Sequence, residues 1–375
     1  MHYRGDEPLF EWISDDQHLS QAVAAWGDHI ALDTEFIRTD TFYPVAGLYQ
    51  VASAGKIYLI DPLEITDWGP MADYLVDPES VIVMHACQED LELLHHHLGL
   101  MPANVFDTQL ANAFVSTDYS LSYAALVERT LGVALEKQQT RSNWLRRPLS
   151  DDQIKYAIDD VLYLGEVYEQ LKDALEQHDR VHWYQQDMQE RGTYDPVAPD
   201  DYFRNVKKAW QLSAPQLATL KMLCGWRERT ARQENVPRNR VVWDEHLLGF
   251  AQIEVLTKKH VFDALPRGIA NRYAEQLVAH HTMAKDAELP AALPRPLNTA
   301  QNAQLKKLRA TALDVVEDMV LAPELLARKR DIETCLRHYL QHQELSEPYR
   351  AWRGELLADK FLHRLQADNE VSDLD

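Results

Sequence analysis

At 375 residues, 46% hydrophobic and 26% charged, the chain is too long for one ordinary core and too apolar for disorder, so two or three globular domains are expected. The net charge of −21 argues against a uniformly basic nucleic-acid binder, and no run of about 18 apolar residues is present to span a bilayer. Three widely spaced cysteines (Cys87, Cys224 and Cys335) argue against a disulfide frame or a zinc cluster and fit a reducing compartment.

The opening residues have no basic start followed by an apolar stretch, so they do not read as a secretory signal, and a cytoplasmic protein is expected. His29–Thr34 is a short apolar run ending in acids. Gly47–Ala52 and Lys56–Ile60 flank Ser53-Ala54-Gly55 and read as a hairpin, and Val81–Met84 and Asn104–Asp107 read as further strands. Helical patterns occupy 67–76, 88–98, 109–115 and 121–131. Strands followed by alternating helices and strands predict a mixed sheet covered by helices, an α/β fold. Glycine-rich dinucleotide and P-loop motifs are missing, which weakens a nucleotide-cofactor reading.

From Ser150, a favourable N-cap, the chain becomes helical, with apolar residues recurring from Ile154 to Val167. Proline-bearing polar stretches at 192–201 and around Pro290, Pro294 and Pro296 predict two linkers. The expected domains are therefore 1–195, 205–290 and 297–375, the last two all-helical. A weak repeat supports the relation of those two: Gln216–Lys221 resembles Gln304–Arg309, and Pro237 has a counterpart in Pro323.

Charge is divided unevenly. Residues 1–200 carry 12 basic and 35 acidic side chains, whereas 201–375 carry 26 and 24. Nine basic residues and two acids fall within 202–240 alone. A polyanion would be drawn to the second half, and the first would need cations to tolerate phosphate. Solvated helix faces are the alternative origin of such charge runs.

Asp33 and Glu35 are two apart on a strand, so both carboxylates project from one face. Acids that close repel one another unless a cation lies between them, and a hard divalent metal is the usual solution. Asp90 follows the strand 81–84. Tyr156 precedes Asp160 by one helical turn, which puts phenol and carboxylate on the same face.

Asp-x-Glu on a strand, an aspartate after a later strand and Tyr-x-x-x-Asp on a late helix together resemble the signature motifs of the DEDD exonuclease superfamily in its tyrosine subclass. The histidine subclass would place its histidine where Lys155 stands. A wider set is similar to the ribonuclease D family: Ala31–Phe36, Phe42-Tyr43-Pro44, Leu59–Leu63, His85-Ala86, Glu89-Asp90-Leu91, Asp107-Thr108, Trp144-Leu145, Arg147-Pro148-Leu149 and Tyr156-Ala157. In the second half, Leu217, Leu220, Leu223, Trp226-Arg227-Glu228, Asn235-x-Pro237 and Val241-Val242-x-Asp244 resemble the helical HRDC module, with a more divergent copy at 297–375.

The resemblance implies an RNase H-like mixed-sheet exonuclease domain followed by two HRDC helical bundles. It implies a 3′→5′ exoribonuclease that releases 5′-monophosphates from RNA with free 3′ ends, tRNA precursors and other structured RNA among them. Two divalent ions, Mg²⁺ or Mn²⁺, would be held by Asp33, Glu35, Asp90 and Asp160. Asp33 would bridge them, Asp90 would support the second ion, and Tyr156 would orient the attacking hydroxide. Phe42 and Tyr43 either stack on the terminal base or pack after the strand. Lys137 and Arg141 are candidates for the substrate phosphates, Arg141 foremost. Arg146 and Arg147 are candidates too, with a surface or capping role as the alternative. Trp210, Trp226 and Trp243 in the basic stretch either form core or offer stacking platforms. No membrane contact is expected, and nothing demands more than a monomer. Competing readings are a DNA 3′→5′ exonuclease, which shares the same acids, and a non-catalytic RNA-binding adaptor.

Overall fold

The computed structural model describes residues 3–4, 7–8, 10–135 and 142–372; Lys137 and Arg141 lie outside them. The chain divides into two compact units. The first comprises Met1–Ile37, Ala46–Tyr194 and Leu297–Asp375, and the second comprises Arg38–Val45 and Asp195–Pro296.

In the first unit the two-residue strands β1 (Tyr3–Arg4) and β2 (Glu7–Pro8) pair antiparallel. A six-stranded sheet follows, built from β3 (Phe10–Ile13), β4 (His29–Ile37), β5 (Val45–Ser53), β6 (Lys56–Ile60), β7 (Val81–Met84) and β8 (Val105–Asp107). Its order is β3-β6-β5-β4-β7-β8. The β5/β6 pair is antiparallel, while β3/β6, β4/β7 and β7/β8 are parallel, so the sheet is mixed as expected. The hairpin turns on Ala54 and Gly55, both at positive φ (48° and 79°), the conformation a two-residue type I′ connection needs. Strand β3 escaped the sequence reading because four residues are too few to display a period.

Both faces of the sheet are covered. Ile30 and Leu32 enter one core cluster with Tyr49, Met71 and Leu91, while Ala31 enters the other with Val83, Phe106 and Trp144. That alternation is the two-residue period of a strand buried on both sides. The covering helices are α1 (Asp16–Val23), α2 (Gly69–Val76), α3 (Gln88–Leu98), α4 (Thr108–Val115), α5 (Tyr123–Leu131), α6 (Asp151–Leu162), α7 (Leu164–Gln177) and α8 (Val181–Arg191). Helix α6 opens on a full capping box: Ser150 Oγ accepts from Gln153 N at 3.3 Å, and Gln153 Oε1 accepts from Ser150 N at 3.1 Å. The apolar stripe expected to run through Val167 divides at Tyr163, where α7 begins.

The second unit holds α9 (Ala214–Glu234), α10 (Arg238–Val241), α11 (Asp244–Ala251), α12 (Lys258–Ala264) and α13 (Arg267–Met283) around Leu220, Leu223, Trp226 and Leu277. Phe42 belongs to this core. Asn235 pins its segment, because Asn235 Oδ1 accepts from Phe42 N and Tyr43 N at 3.0 and 3.1 Å.

Residues 297–375 contribute α14 (Thr299–Val316), α15 (Glu324–Ala327), α16 (Lys329–His342) and α17 (Trp352–Ser372) to the first unit. Leu305, Leu336, Trp352 and Phe361 share one apolar cluster with Phe114 and Tyr184. Trp352 stacks on Trp183 with ring centroids 4.9 Å apart, and Asp187 accepts from Trp352 Nε1 and from both terminal nitrogens of Arg353. All three cysteines are free and buried. Among the described residues no helix is long and apolar enough to cross a membrane.

Candidate metal centre and active site

Strand β4 delivers Asp33 and Glu35 to one face, and α6 delivers Asp160. One carboxylate oxygen from each lies within 4.8 Å of the others. Asp90, buried near the start of α3, stands beside this trio without joining it. Thr34, between the two strand acids and pointing the other way, donates its hydroxyl to Asp90 Oδ1. Asp90 is still close enough to act electrostatically on Asp33 and Glu35. Tyr156 hydrogen-bonds to Asp160 from one turn earlier on α6, and its ring lies 6.1 Å from that of Trp144.

The electrostatics are those of crowded, half-dry acids. Burial, followed by the charges of Asp160, Asp90 and Glu35, pushes the Asp33 carboxyl well above the usual range. Burial and the charges of Asp160 and Asp90 raise Glu35 to about 8. Asp90 and Asp160 are raised chiefly by burial, against the lowering bonds from Thr34 and Tyr156. Such a cluster holds either protons or a cation. Asp160 Oδ2 is buried with no hydrogen-bond partner among the described residues, an acceptor open to a cation. Carboxylate oxygens alone suit a hard divalent ion, so the donor set fits one. Burial, then Asp160, Glu35 and Asp33, drive the Tyr156 phenol upward, so it remains a protonated donor at neutral pH.

Phe42 is 7% exposed and lies in the core of the second unit, where Arg238 covers its ring at 4.7 Å; Tyr43 packs edge-on against it at 4.9 Å. Arg147 is committed to Asp61, with Nε and Nη2 each 2.6 Å from a carboxylate oxygen, and it also donates to Gly47 O and Trp144 O. His85 is hydrogen-bonded to Thr108 Oγ1 and Leu121 O, and burial lowers its pKa, so it is a neutral structural imidazole. Trp226 is core at 6% exposure, whereas Trp243 is 54% exposed.

Two residues near the acids went unremarked in the sequence. Thr34 carried a signal, a hydroxyl set between two acids on the opposite face of the strand. Tyr123 carried none. Its hydroxyl is buried, and its pKa is raised by burial and then by the charges of Asp160 and Asp33.

Residues 10–176, which hold all four acids and Tyr156, match the 3′-5′ exonuclease family, and residues 216–279 match the HRDC domain. A ribonuclease D of Pseudomonas paraeruginosa is 39% identical over 371 residues, covering 96% of this chain and 98% of its own length. One from Escherichia coli is 35% identical, covering 95% and 98%. The crystal structure of Escherichia coli RNase D, an exoribonuclease involved in structured RNA processing, superposes with a TM-score of 0.85 at 34% identity, over 96% of this chain and 99% of that one. The mixed sheet is thus the RNase H-like exonuclease fold with a helical HRDC region after it. With such identity sustained along almost the whole of both partners, and with the acids lying inside the matched exonuclease segment, the chain belongs to the ribonuclease D family of 3′→5′ exoribonucleases.

Proposed function

We propose that this enzyme removes nucleotides one at a time, as 5′-monophosphates, from the 3′ ends of structured RNA such as tRNA precursors. The reading rests chiefly on the convergence of Asp33, Glu35 and Asp160, with one acceptor, Asp160 Oδ2, that no donor among the described residues satisfies. Two divalent ions, Mg²⁺ or Mn²⁺, would be held by Asp33, Glu35 and Asp160 with Asp90 in support; when bound they lower the pKa of water and neutralise charge on the phosphoryl oxygens. Asp33 would serve both ions. Thr34 holds the Asp90 carboxylate in one orientation, and Tyr156, protonated and tied to Asp160, donates toward the attacking oxygen and fixes its approach. Lys137 and Arg141 remain candidates for the substrate phosphates, and Tyr43 for the terminal base.

We read 205–290 and 297–375 as two related helical modules on an exonuclease domain of residues 1–195. In both modules a long helix, α9 or α14, is followed by a proline that caps a four-residue helix, α10 or α15. A cytoplasmic monomer is the form proposed.

The test incubates full-length protein with 3′-labelled tRNA precursor and with matched DNA, in Mg²⁺ or in chelator. Metal-dependent release of RNA mononucleotides is expected, abolished in Asp33→Asn and reduced about 10- to 100-fold in Tyr156→Phe, the scale of a misoriented nucleophile. Equal rates on DNA, or full activity in Asp33→Asn, would overturn the proposal.

A further inference from the structure

Nine basic residues crowd positions 202–240, yet most are already engaged. Arg204 pairs with Asp201, Arg227 with Asp244, Arg229 with Asp200, Arg238 with Glu228 and Arg240 with Asp40. Lys207 and Lys208 are exposed, and neither makes an ion pair among the described residues. Both border a cleft of about 820 Å³ lined wholly by residues of the second unit. Five cationic side chains and three aromatic rings line it together, the combination that nucleic-acid grooves use, against two acids, Glu245 and the Asp244 that pairs with Arg227.

The rings differ in how they are used. Arg238 lies 4.7 Å from the centroids of both Phe42 and Tyr202, and Arg227 lies 4.8 Å from Tyr202, so these rings and guanidinium groups hold one another. Trp243 has no such partner among the described residues and is 54% exposed. It occupies the N-cap of α11, where a short polar side chain is preferred, and makes no capping bond there. Lys208 is equally out of place locally: its φ of 68° is a left-handed conformation that glycine or asparagine adopts more readily. Two neighbours of one cleft thus override local preference, and such conflicts gather at functional positions.

We propose that this cleft binds an unpaired nucleotide of single-stranded RNA, with the base stacked on Trp243 and the adjoining phosphates held by Lys207 and Lys208. Only a ligand that offers both an aromatic face and an anion uses both kinds of group; an acidic peptide would leave the indole bare. A paired base has no free face to offer, so the cleft selects unpaired strand. The choice of ribose over deoxyribose rests on the function proposed above; the stacking and charge argument does not.

The test measures fluorescence anisotropy of full-length protein with a labelled oligoadenylate of about 12 nucleotides in chelator, so that binding is read without hydrolysis. Trp243→Ala should weaken binding about 10-fold, the scale of one lost base stack, and Trp243→Phe should restore it to within about threefold. Replacing Lys207 and Lys208 together by Gln should reduce the salt slope by about 1.4, the release expected from two phosphates of a single strand. Blunt duplex RNA should bind equally well with and without Trp243→Ala. The proposal is overturned if Trp243→Ala leaves oligoadenylate affinity unchanged, if Phe fails to rescue it, or if adenosine 5′-monophosphate or polyglutamate competes as well as the oligomer does. Because no cleavage is involved, it can fail while the wild-type protein still degrades RNA in Mg²⁺, and it can hold if that degradation is absent.

Discussion

Three carboxyls, Asp33, Glu35 and Asp160, converge with Asp90 beside them, and each of the four is raised above its ordinary pKa. A carboxyl with a raised folded-state pKa favours the folded protein fully below its unfolded pKa, about 4, and that contribution is lost as pH climbs through the folded value. For Glu35 the loss extends to about 8. Metal-free protein should therefore lose stability from these groups between roughly pH 4 and pH 8, as protons leave and repulsion grows. A divalent ion takes the place of those protons. Thermal melts with and without Mg²⁺ or Mn²⁺ should show a small rise in Tm at pH 5 and a distinctly larger one at pH 8. The difference should vanish in Asp33→Asn. An equal rise at both pH values would mean that the ion binds elsewhere.

At the scale of elements, the acids meet because strand β4 threads its carboxylates past a close neighbour. Gly47 on β5 has no room for a side chain: a Cβ there would lie 2.6 Å from Trp144 Cβ, 3.0 Å from Trp144 O and 3.1 Å from Glu35 O. Two of those atoms are backbone and cannot swing aside. Gly47→Ala should cost about 1–3 kcal/mol by overpacking and, through the Glu35 carbonyl, lower activity more than the stability loss explains. Gly165 in α7 has nothing within 4 Å of such a Cβ, so Gly165→Ala should have the opposite sign, stabilising by about 0.5–1 kcal/mol. Denaturant unfolding of the two variants beside wild type checks both. Local periodicity made much of this region legible in the sequence. The i, i+2 spacing of Asp33 and Glu35 and the i, i+4 spacing of Tyr156 and Asp160 follow from strand and helix geometry alone. What periodicity cannot carry is a pairing between distant elements. Thr34 with Asp90, Arg147 with Asp61 and the buried hydroxyl of Tyr123 became visible only with the tertiary structure. The same holds for Phe42: its aromatic character was plain, but its place in the helical unit depends on Asn235, 193 positions away.

At the scale of the whole molecule, domains read from linkers and compact units read from packing divide the chain differently. The proline-rich stretch around 290–296 has no regular secondary structure, but the helices beyond it pack with the exonuclease core instead of standing apart. Composition marks where a chain is loose and says nothing about where it returns. A truncation that removed everything after residue 210 would therefore uncover Trp183, Tyr184 and Phe114, which pack with Trp352, and would confuse lost RNA binding with lost folding. Calorimetry of the intact protein separates the two. The first unit, exonuclease and C-terminal helices together, should melt in one cooperative transition, and residues 195–296 in another. Trp352 is 1% exposed, so Trp352→Ala should destabilise the first transition by about 3–5 kcal/mol and leave the second in place. Mg²⁺ should raise that same first transition, since ligand binding stabilises only the unit that holds the site. If the mutation and the ion move different transitions, the C-terminal helices do not share a core with the acids, and the two-unit division is wrong.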